Sequence, residues 1–538
     1  MAPLGRATSF GEAKGAGLVG GRSHTDPFFT TAVAAVVGLP LVGFLGLSAS
    51  HILEPAASRR LAPALWILLA AVFAWCSFPV ITKLVKIARR VRARSQALQS
   101  LPGPEYGLLG VLNIINQRPD LHRLVTEWVE KFGPLVRVRF LLFHAVIVTD
   151  PVLATHITRS KIMDKFRFLY HRLDPFLGGP NLLTGPSDAH WRLVRKGISP
   201  AFSAGRMRDA CGTVVQYALK LTDILLAAGP DAEQDVDNLL LRESMDVIGK
   251  FGFNKDMNAL DGVASGIDTT GHTGTWTLYL ISQHPEVEAK IVAELDALEL
   301  LATTERPSPR PLVSADLGKL PYLSCVIKEV LRMYPPVAFG QMRVSFQHDL
   351  TLAGRLTIPR GTLLWVPHHS LQNATFNWDD ADKFLPERWM QRGTEYADLS
   401  KLRLDPEWYE GLGIDMTSPG RDGDIPNEEN ARPKRYFPFA EGPRDCVGQN
   451  LARVSLLATT ATLLSRLSFR LCPKMNGPEG VRASEQYTLV TGLKHGMSMH
   501  AIPRVPSTAG GVNSYMWVGQ GRSGVFAEPV CSQVPCQF

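Results

Sequence analysis

Cys446 stands in a frame whose residue types and spacing suit metal chemistry. The stretch reads Phe439-Ala440-Glu441-Gly442-Pro443-Arg444-Asp445-Cys446-Val447-Gly448, and a helix-like run from Asn450 to Leu467 follows it. A thiolate is a soft, strongly donating ligand, and behind haem iron it pushes electron density toward O–O cleavage. The partial positive charge at the start of the following helix favours an anion there. Gly442 permits a tight turn, and Gly448 permits a close backbone approach to a flat macrocycle. Phe439 can cover the sulfur side, and Arg444 can hold a carboxylate such as a propionate in a fork. A lone cysteine is usually a buried residue beside a helix cap. At average residue usage, though, these five fixed positions arise by chance in roughly one such chain in ten thousand.

Phe-x-x-Gly-x-Arg-x-Cys-x-Gly resembles the haem-binding signature of the cytochrome P-450 monooxygenases, and the resemblance runs from about Leu101 to Pro503. It implies a mainly α fold with small β-sheets (α+β), haem b as cofactor and Cys446 as its axial thiolate. Phe439, Gly442, Arg444 and Gly448 then frame the haem.

Upstream, Trp191-Arg192-Leu193-Val194-Arg195 places an aromatic and a cation four apart on one helix face. Alone this is commonly an amphipathic surface pair. The resemblance implies that Trp191 and Arg195 reach a haem propionate and that Arg343 is another propionate ligand. Ser265-Gly266-Ile267-Asp268-Thr269-Thr270 matches the small-Gly-x-acid-Thr-Thr run of the family's long central helix. There Asp268 and Thr269 are expected to relay protons to bound dioxygen, because a hydroxyl bonding its own helix can open a water-holding bulge. The same residues would also make an ordinary helix N-cap. Glu329 and Arg332, at i and i+3, are expected to form a buried network with Arg388, in a core-holding role.

The elements around these residues follow from pattern. Leu135–Phe140 alternates with period two and Ala145–Val148 is apolar, which predicts a hairpin. Leu240–Phe253 reads as a core helix. Leu350–Leu356 and Thr362–Val366 read as strands around Gly361, and Tyr487–Met499 as a terminal hairpin on the pocket floor. Asn373-Ala374-Thr375 is formally a glycosylation sequon, which a cytosolic domain would leave bare.

The chain has 538 residues, enough for a substantial core, and a net charge of +7 without a dense basic-aromatic patch, so a nucleic-acid partner is not expected. Its seven cysteines are scattered, with no C-x-x-C pair, which fits a reducing compartment rather than a disulfide framework or zinc site. Residues 1–27 are Gly-rich with few acids and read as a disordered leader, with a weak plastid transit segment as the alternative. Phe28–Ser50 and Leu61–Thr82 are uncharged and each long enough to span a bilayer. Lys83, Lys86, Arg89, Arg90, Arg92 and Arg94 follow, a basic flank that places the C-terminal side in the cytosol. Residues 28–94 are therefore expected to be a membrane anchor, and 95–104 a Pro-rich hinge built on Leu101-Pro102-Gly103-Pro104. Residues 105–505 are expected to be the haem-thiolate domain and 506–538 a disordered tail; 402–433 reads as a solvated insertion.

One interval departs from the family. Only twelve residues separate Gly252 from Ser265, where the family holds lid helices and half of the central helix. Four helices of about 11–12 residues each could not fit. The fold is expected to be incomplete, with an internal deletion near 260. The resemblance as a whole implies oxygen insertion into a lipophilic substrate, with electrons from an NADPH-dependent flavin reductase (NADPH-cytochrome P-450 reductase), at the endoplasmic reticulum membrane or, as the alternative, a plastid membrane. Arg192, Lys196 and Arg435 are expected to form a basic docking face. The rival readings are a reductase-independent hydroperoxide-rearranging enzyme and an inactive haem-binding remnant or faulty gene model.

Overall fold

The computed structural model describes residues 55–105, 110–111, 118–140, 143–160, 163–175, 177–262, 268–345, 347–352, 356–409, 432–487 and 490–505. The expected leader, the first apolar run, Ser265-Gly266-Ile267, residues 410–431 of the expected insertion and the tail lie outside them. The chain divides into two units, Met1–Ala93 and Arg94–Phe538. Helix α1 (Pro55–Ala97), all but its last four residues in the first unit, carries the second apolar run. Its Ala70–Ala97 part is long and apolar enough to cross a membrane, and none of its apolar window is buried. Trp75 is 84% exposed and Phe78 68%, side chains that lipid would cover.

The second unit opens with α2 (Leu121–Phe132), then β1 (Leu135–Phe140), β2 (Phe143–Val148), α3 (Pro151–Arg159), β3 (Asp164–Lys165) and α4 (Ala189–Ile198). Next come α5 (Ala204–Ala228), β4 (Gln234–Asp235), α6 (Val236–Phe253), α7 (Asp268–Gln283), α8 (Pro285–Ala297) and α9 (Pro321–Met333). They are followed by β5 (Gln341–Val344), β6 (Leu350–Leu352), β7 (Leu356–Ile358), β8 (Leu363–Val366) and α10 (His368–Asn373). The last elements are α11 (Gln449–Leu464), β9 (Leu467–Leu471), β10 (Glu485–Tyr487), β11 (Thr491–Leu493) and β12 (Ser498–Pro503). The fold is mainly helical with small sheets, as the resemblance implied.

Aspartates start several helices where the sequence needs an acceptor for free N–H groups. Asp150 caps α3 through Leu153 N–H at 2.9 Å, and Asp188 caps α4 through Trp191 N–H at 2.8 Å. The alternating stretch pairs as expected, β1 antiparallel to β2 with Leu135 opposite Val148. The sheet runs β1-β2-β8-β5-β3, and β2 lies parallel to β8. Leu350–Leu356 is not one strand: it breaks into the β6–β7 pair. The terminal hairpin is β10–β11, with Glu485 opposite Leu493. Ser498 onward leaves it to pair with β4 and β9 instead.

The largest core lies among α5, α6, α7, α9 and α11. Gly271 sets one approach in it, since a Cβ there would stand 2.8–2.9 Å from Leu241 side-chain and backbone atoms on α6. α5 is apolar enough to span a membrane by composition, but its packing against α11 and α6 makes it a core helix. At the short interval, Asn254 ends α6 in the left-handed region. Fully buried Asp246 accepts the Ala259 and Leu260 N–H groups at 2.8 and 3.0 Å, so the chain just before residue 261 is tied into the core. Asn373 of the sequon donates inward to the Arg332, Met333 and His369 carbonyls.

Glu243 on α6 is buried and accepts from Thr459 Oγ1 at 2.9 Å. Burial above all, with Asp246 adding, pushes its carboxyl up to about 8, against the Thr459 hydrogen bond. The unfolded carboxyl ionises from about 4.5 and the folded one only near 8, so stability is full below that window and declines as pH rises through it. The slope reaches about 1.4 kcal/mol per pH unit. Glu243→Gln should flatten that decline in urea titrations between pH 5 and 8, because an amide keeps an acceptor for Thr459 and stays neutral; an unchanged slope would contradict this.

Candidate functional site

The cysteine loop is set by its backbone. Cys446 N–H donates to Phe439 O at 2.8 Å, closing the loop across Gly442. Gly442 has φ +80°, and a Cβ there would stand 2.3 Å from Thr158 O at the end of α3, so only glycine fits. Ala440 also takes a positive φ, +65°, without glycine's freedom, which stores strain next to the site. Gly448 is the N-cap of α11. A Cβ on it would meet Cys446 Sγ at 3.9 Å, ordinary contact, so packing within the chain does not demand glycine there.

Cys446 is exposed at the N-terminal side of α11. The surrounding protein still desolvates the thiol and holds it above its usual value, and Asp445 adds to that. A hydrogen bond from Gly448 N–H, then the Arg195 and Arg453 cations, pull toward the thiolate. The Arg453 guanidinium lies 5.0 Å from the centre of the half-buried Phe439 ring.

α4 holds the loop from the other side. Trp191 and Arg195 share a face as expected, and both end at the cysteine loop. The Trp191 indole N–H donates to Leu182 O at 3.0 Å, and the Arg444 guanidinium stacks 3.9 Å above its ring. Arg195 donates to the Asp445 carbonyl at 2.7 Å and to its carboxylate. Arg444 reaches Ser187 Oγ at 2.8 Å and the Leu182 and Gly185 carbonyls. Arg343 is buried on β5, and its Nη2 has no hydrogen-bond partner among the described residues. Burial brings that guanidinium down to about 10.

Lys165, which the sequence analysis missed, is paired with Arg343 across β3 and β5. Its ammonium donates to Leu183 O at 2.6 Å and lies 4.8 Å from the Tyr170 ring centre. Burial, then Arg444 and Arg343, push it down to about 7. Asp164 opposes them but is itself held by Ser187 and lies 3.5 Å from Arg444. The only sequence signal for Lys165 is an acid–base dipeptide in an aromatic stretch, and its strand partner lies far along the chain.

Lys165, Arg343 and Arg444 thus sit together with two nearby acids, Asp164 and the helix-capping Asp188, an excess of buried positive charge that costs free energy until an anion arrives. An orphaned guanidinium nitrogen and a lysine near neutrality fit a flat ligand carrying two carboxylates beside a thiolate. The residues present fit haem.

Thr269 is half-buried in the first turn of α7, and its carbonyl accepts from Thr273 Oγ1 at 2.8 Å. Asp268 is the first residue of that helix. Arg435 does not join Arg192 and Lys196 as an exposed docking cation. It donates to the Thr394 and Asn377 carbonyls at 3.0 and 2.7 Å and stacks on Trp378.

A family model described as Cytochrome P450 matches residues 101–265 and 258–489, two stretches that meet at the short interval. Among curated relatives, rabbit (Oryctolagus cuniculus) cytochrome P450 3A6 is 26% identical over 214 residues, 40% of this chain and 34% of its own length. Cytochrome P450 monooxygenase acrF of Aspergillus aculeatus is 31% identical over 214 residues, 38% of this chain and 39% of its own. The chloroplastic LUTEIN DEFICIENT 5 protein of Arabidopsis thaliana is 30% identical over 250 residues, 45% of this chain and 34% of its own. The chain therefore spans about a third to two fifths of the length of these relatives.

Unfolded lysine keeps its proton to about 10.5 and folded Lys165 releases it near 7, so the unfolded chain binds more protons across that window and Lys165 makes stability rise with pH. Lys165→Met should flatten that rise and raise the urea midpoint of the haem-free chain at pH 7. The same change should weaken haemin uptake, followed by fluorescence quenching. A lowered midpoint at pH 7, or unaltered uptake, would contradict the charge-excess account.

Proposed function

The chain belongs to the cytochrome P450 family, and from that premise we propose that it is a membrane-anchored haem-thiolate monooxygenase. It inserts one atom of dioxygen into a lipophilic substrate, with electrons from an NADPH-dependent flavin reductase. The observation that carries the reading is the unbalanced cluster of Lys165, Arg343 and Arg444 around the loop of an exposed cysteine at a helix N-terminus.

Bound haem supplies the iron at which dioxygen is activated. Cys446 would hold the iron through its sulfur, and Gly448 N–H with Arg195 and Arg453 favours the anionic sulfur. Arg343 and Lys165 would hold the propionates, as would Arg444, Trp191 and Arg195, whose donors here bond Leu182, Gly185 and Asp445. Thr269 holds a proton on its hydroxyl at the start of α7, and Asp268 beside it replenishes that proton. Exposed Arg192 and Lys196 serve as the basic face for an acidic reductase. The apolar, exposed α1 supports anchoring, with the domain facing the cytosol from the endoplasmic reticulum; a plastid membrane is the alternative.

A second reading, a haem-binding remnant without turnover, is favoured by one observation: the family match breaks at 258–265, where nine described residues, 254–262, contain no helix. Turnover separates the two. In membranes with reductase and NADPH, the chain should oxidise an apolar substrate in an oxygen-dependent way. Thr269→Ala should then lower product per NADPH by about tenfold or more and raise peroxide. Haem uptake without product would leave the remnant reading, and hydroperoxide rearrangement unaffected by Thr269→Ala would replace the monooxygenase with a reductase-independent enzyme.

A further inference from the structure

One turn past Thr269, α7 carries a histidine that none of the readings above uses. His272 follows Thr269 by three residues, a spacing that shares a helix face with Cβ atoms about 5–6 Å apart. Its Nδ1 lies 2.8 Å from Asp237 Oδ1 on α6, and Thr275 Oγ1 donates to the same oxygen at 2.8 Å. An ionised carboxylate can only accept, so Nδ1 carries the hydrogen, and in the neutral ring Nε2 keeps its lone pair. The other ring edge lies against β11, where a Cβ on Gly492 would stand 2.9 Å from Nε2. Among the described residues Nε2 has no hydrogen-bond partner. The histidine side chain keeps 12% of its surface exposed, against 7% for Asp237. One nitrogen is thus fixed by a buried carboxylate, and the ring still touches solvent.

We propose that His272, oriented by Asp237, is the residue through which protons enter the Asp268–Thr269 pair. The proposal rests on the monooxygenase reading and deepens it. Nε2 takes a proton from solvent, and the Asp237 carboxylate stabilises the resulting imidazolium. Nε2 then passes the proton through water to the Thr269 hydroxyl as that hydroxyl donates its own proton onward, and the ring returns to the neutral Nδ1–H tautomer. No electrons move in this step, and the proton comes from bulk water. His272 acts through Thr269, and Asp237 is its positioning residue. Gly492 leaves room for the ring edge, where any side chain would close on Nε2.

A tie between α6 and α7 would explain the same hydrogen bond, so the variant must keep the tie and remove the proton carrier. His272→Asn does this, since its amide N–H can still donate to Asp237 but has no nitrogen that takes up a proton near neutrality. The full chain in membranes, with reductase and NADPH, should keep its unfolding midpoint and the thiolate-type carbon-monoxide band in this variant. The share of electrons lost to peroxide should rise by about tenfold. Nitrogen NMR of histidine-labelled chain should place the His272 proton on Nδ1, and Asp237→Asn should release that preference. Wild-type coupling in His272→Asn, or a proton resting on Nε2 in the unsubstituted chain, overturns the proposal. If the substitution unfolds the chain, the nitrogen spectrum of the unsubstituted protein still decides. Absence of the band from the unsubstituted chain overturns the monooxygenase reading and this proposal with it.

Discussion

Glu329 has no exposed surface, and both of its carboxylate oxygens are hydrogen-bonded. Its carboxylate accepts from Arg332 at 2.9 and 3.0 Å, from Arg388 at 3.0 Å, from Trp389 Nε1 at 2.8 Å and from Leu385 N–H at 3.1 Å. Arg332, equally buried, donates its remaining hydrogens to the Gln372, Ala381 and Lys383 carbonyls. A buried ion pair alone adds little, because desolvation offsets the attraction, but removing one partner leaves an uncompensated charge and costs about 3–5 kcal/mol. The network fixes α9 against α10 and against the 377–390 segment. That segment in turn carries Trp378 and Trp389, on which Arg435 and Tyr436 pack just before the cysteine loop.

From there the constraint reaches the sulfur. Gln372, which donates to the Leu331 and Arg332 carbonyls, accepts from Phe437 N–H at 2.7 Å, and Gln341 on β5 bonds Glu441 in both directions. The loop is thereby held at Phe437 and at Glu441, the residue between Ala440 and Gly442, which both take positive φ. The strain is borne by a loop whose flanks are tied by these hydrogen bonds. What the frame leaves unbalanced is charge, at Lys165, Arg343 and Arg444, and that imbalance shapes the ligand the site can take.

Much of this was legible in the sequence because it lies in short motifs. Glu329, Arg332 and Arg388, the β1–β2 hairpin and the Trp191–Arg195 face each depend on spacing within one element or on a fixed order, and the structure places them as read. Lys165 and Asp445 were not legible, because their roles come from neighbours on β5 and α4. Arg435 was misread as a surface cation, since its partners are main-chain carbonyls and a tryptophan ring that no pattern marks. Leu350–Leu356 was misread as one strand because apolar content does not show a break. The His272–Asp237 pair joins two helices whose contact appears only once Gly271 packs on Leu241.

The central claim is that this chain, with its short interval after α6, assembles haem on Cys446. A carbon-monoxide difference spectrum of the reduced full-length protein in membranes tests it most directly, with Cys446→Ser alongside. The account predicts a thiolate-type band in the unsubstituted chain and its loss in the variant. A band typical of a neutral or lost thiolate, or no bound haem, in the unsubstituted chain would contradict it.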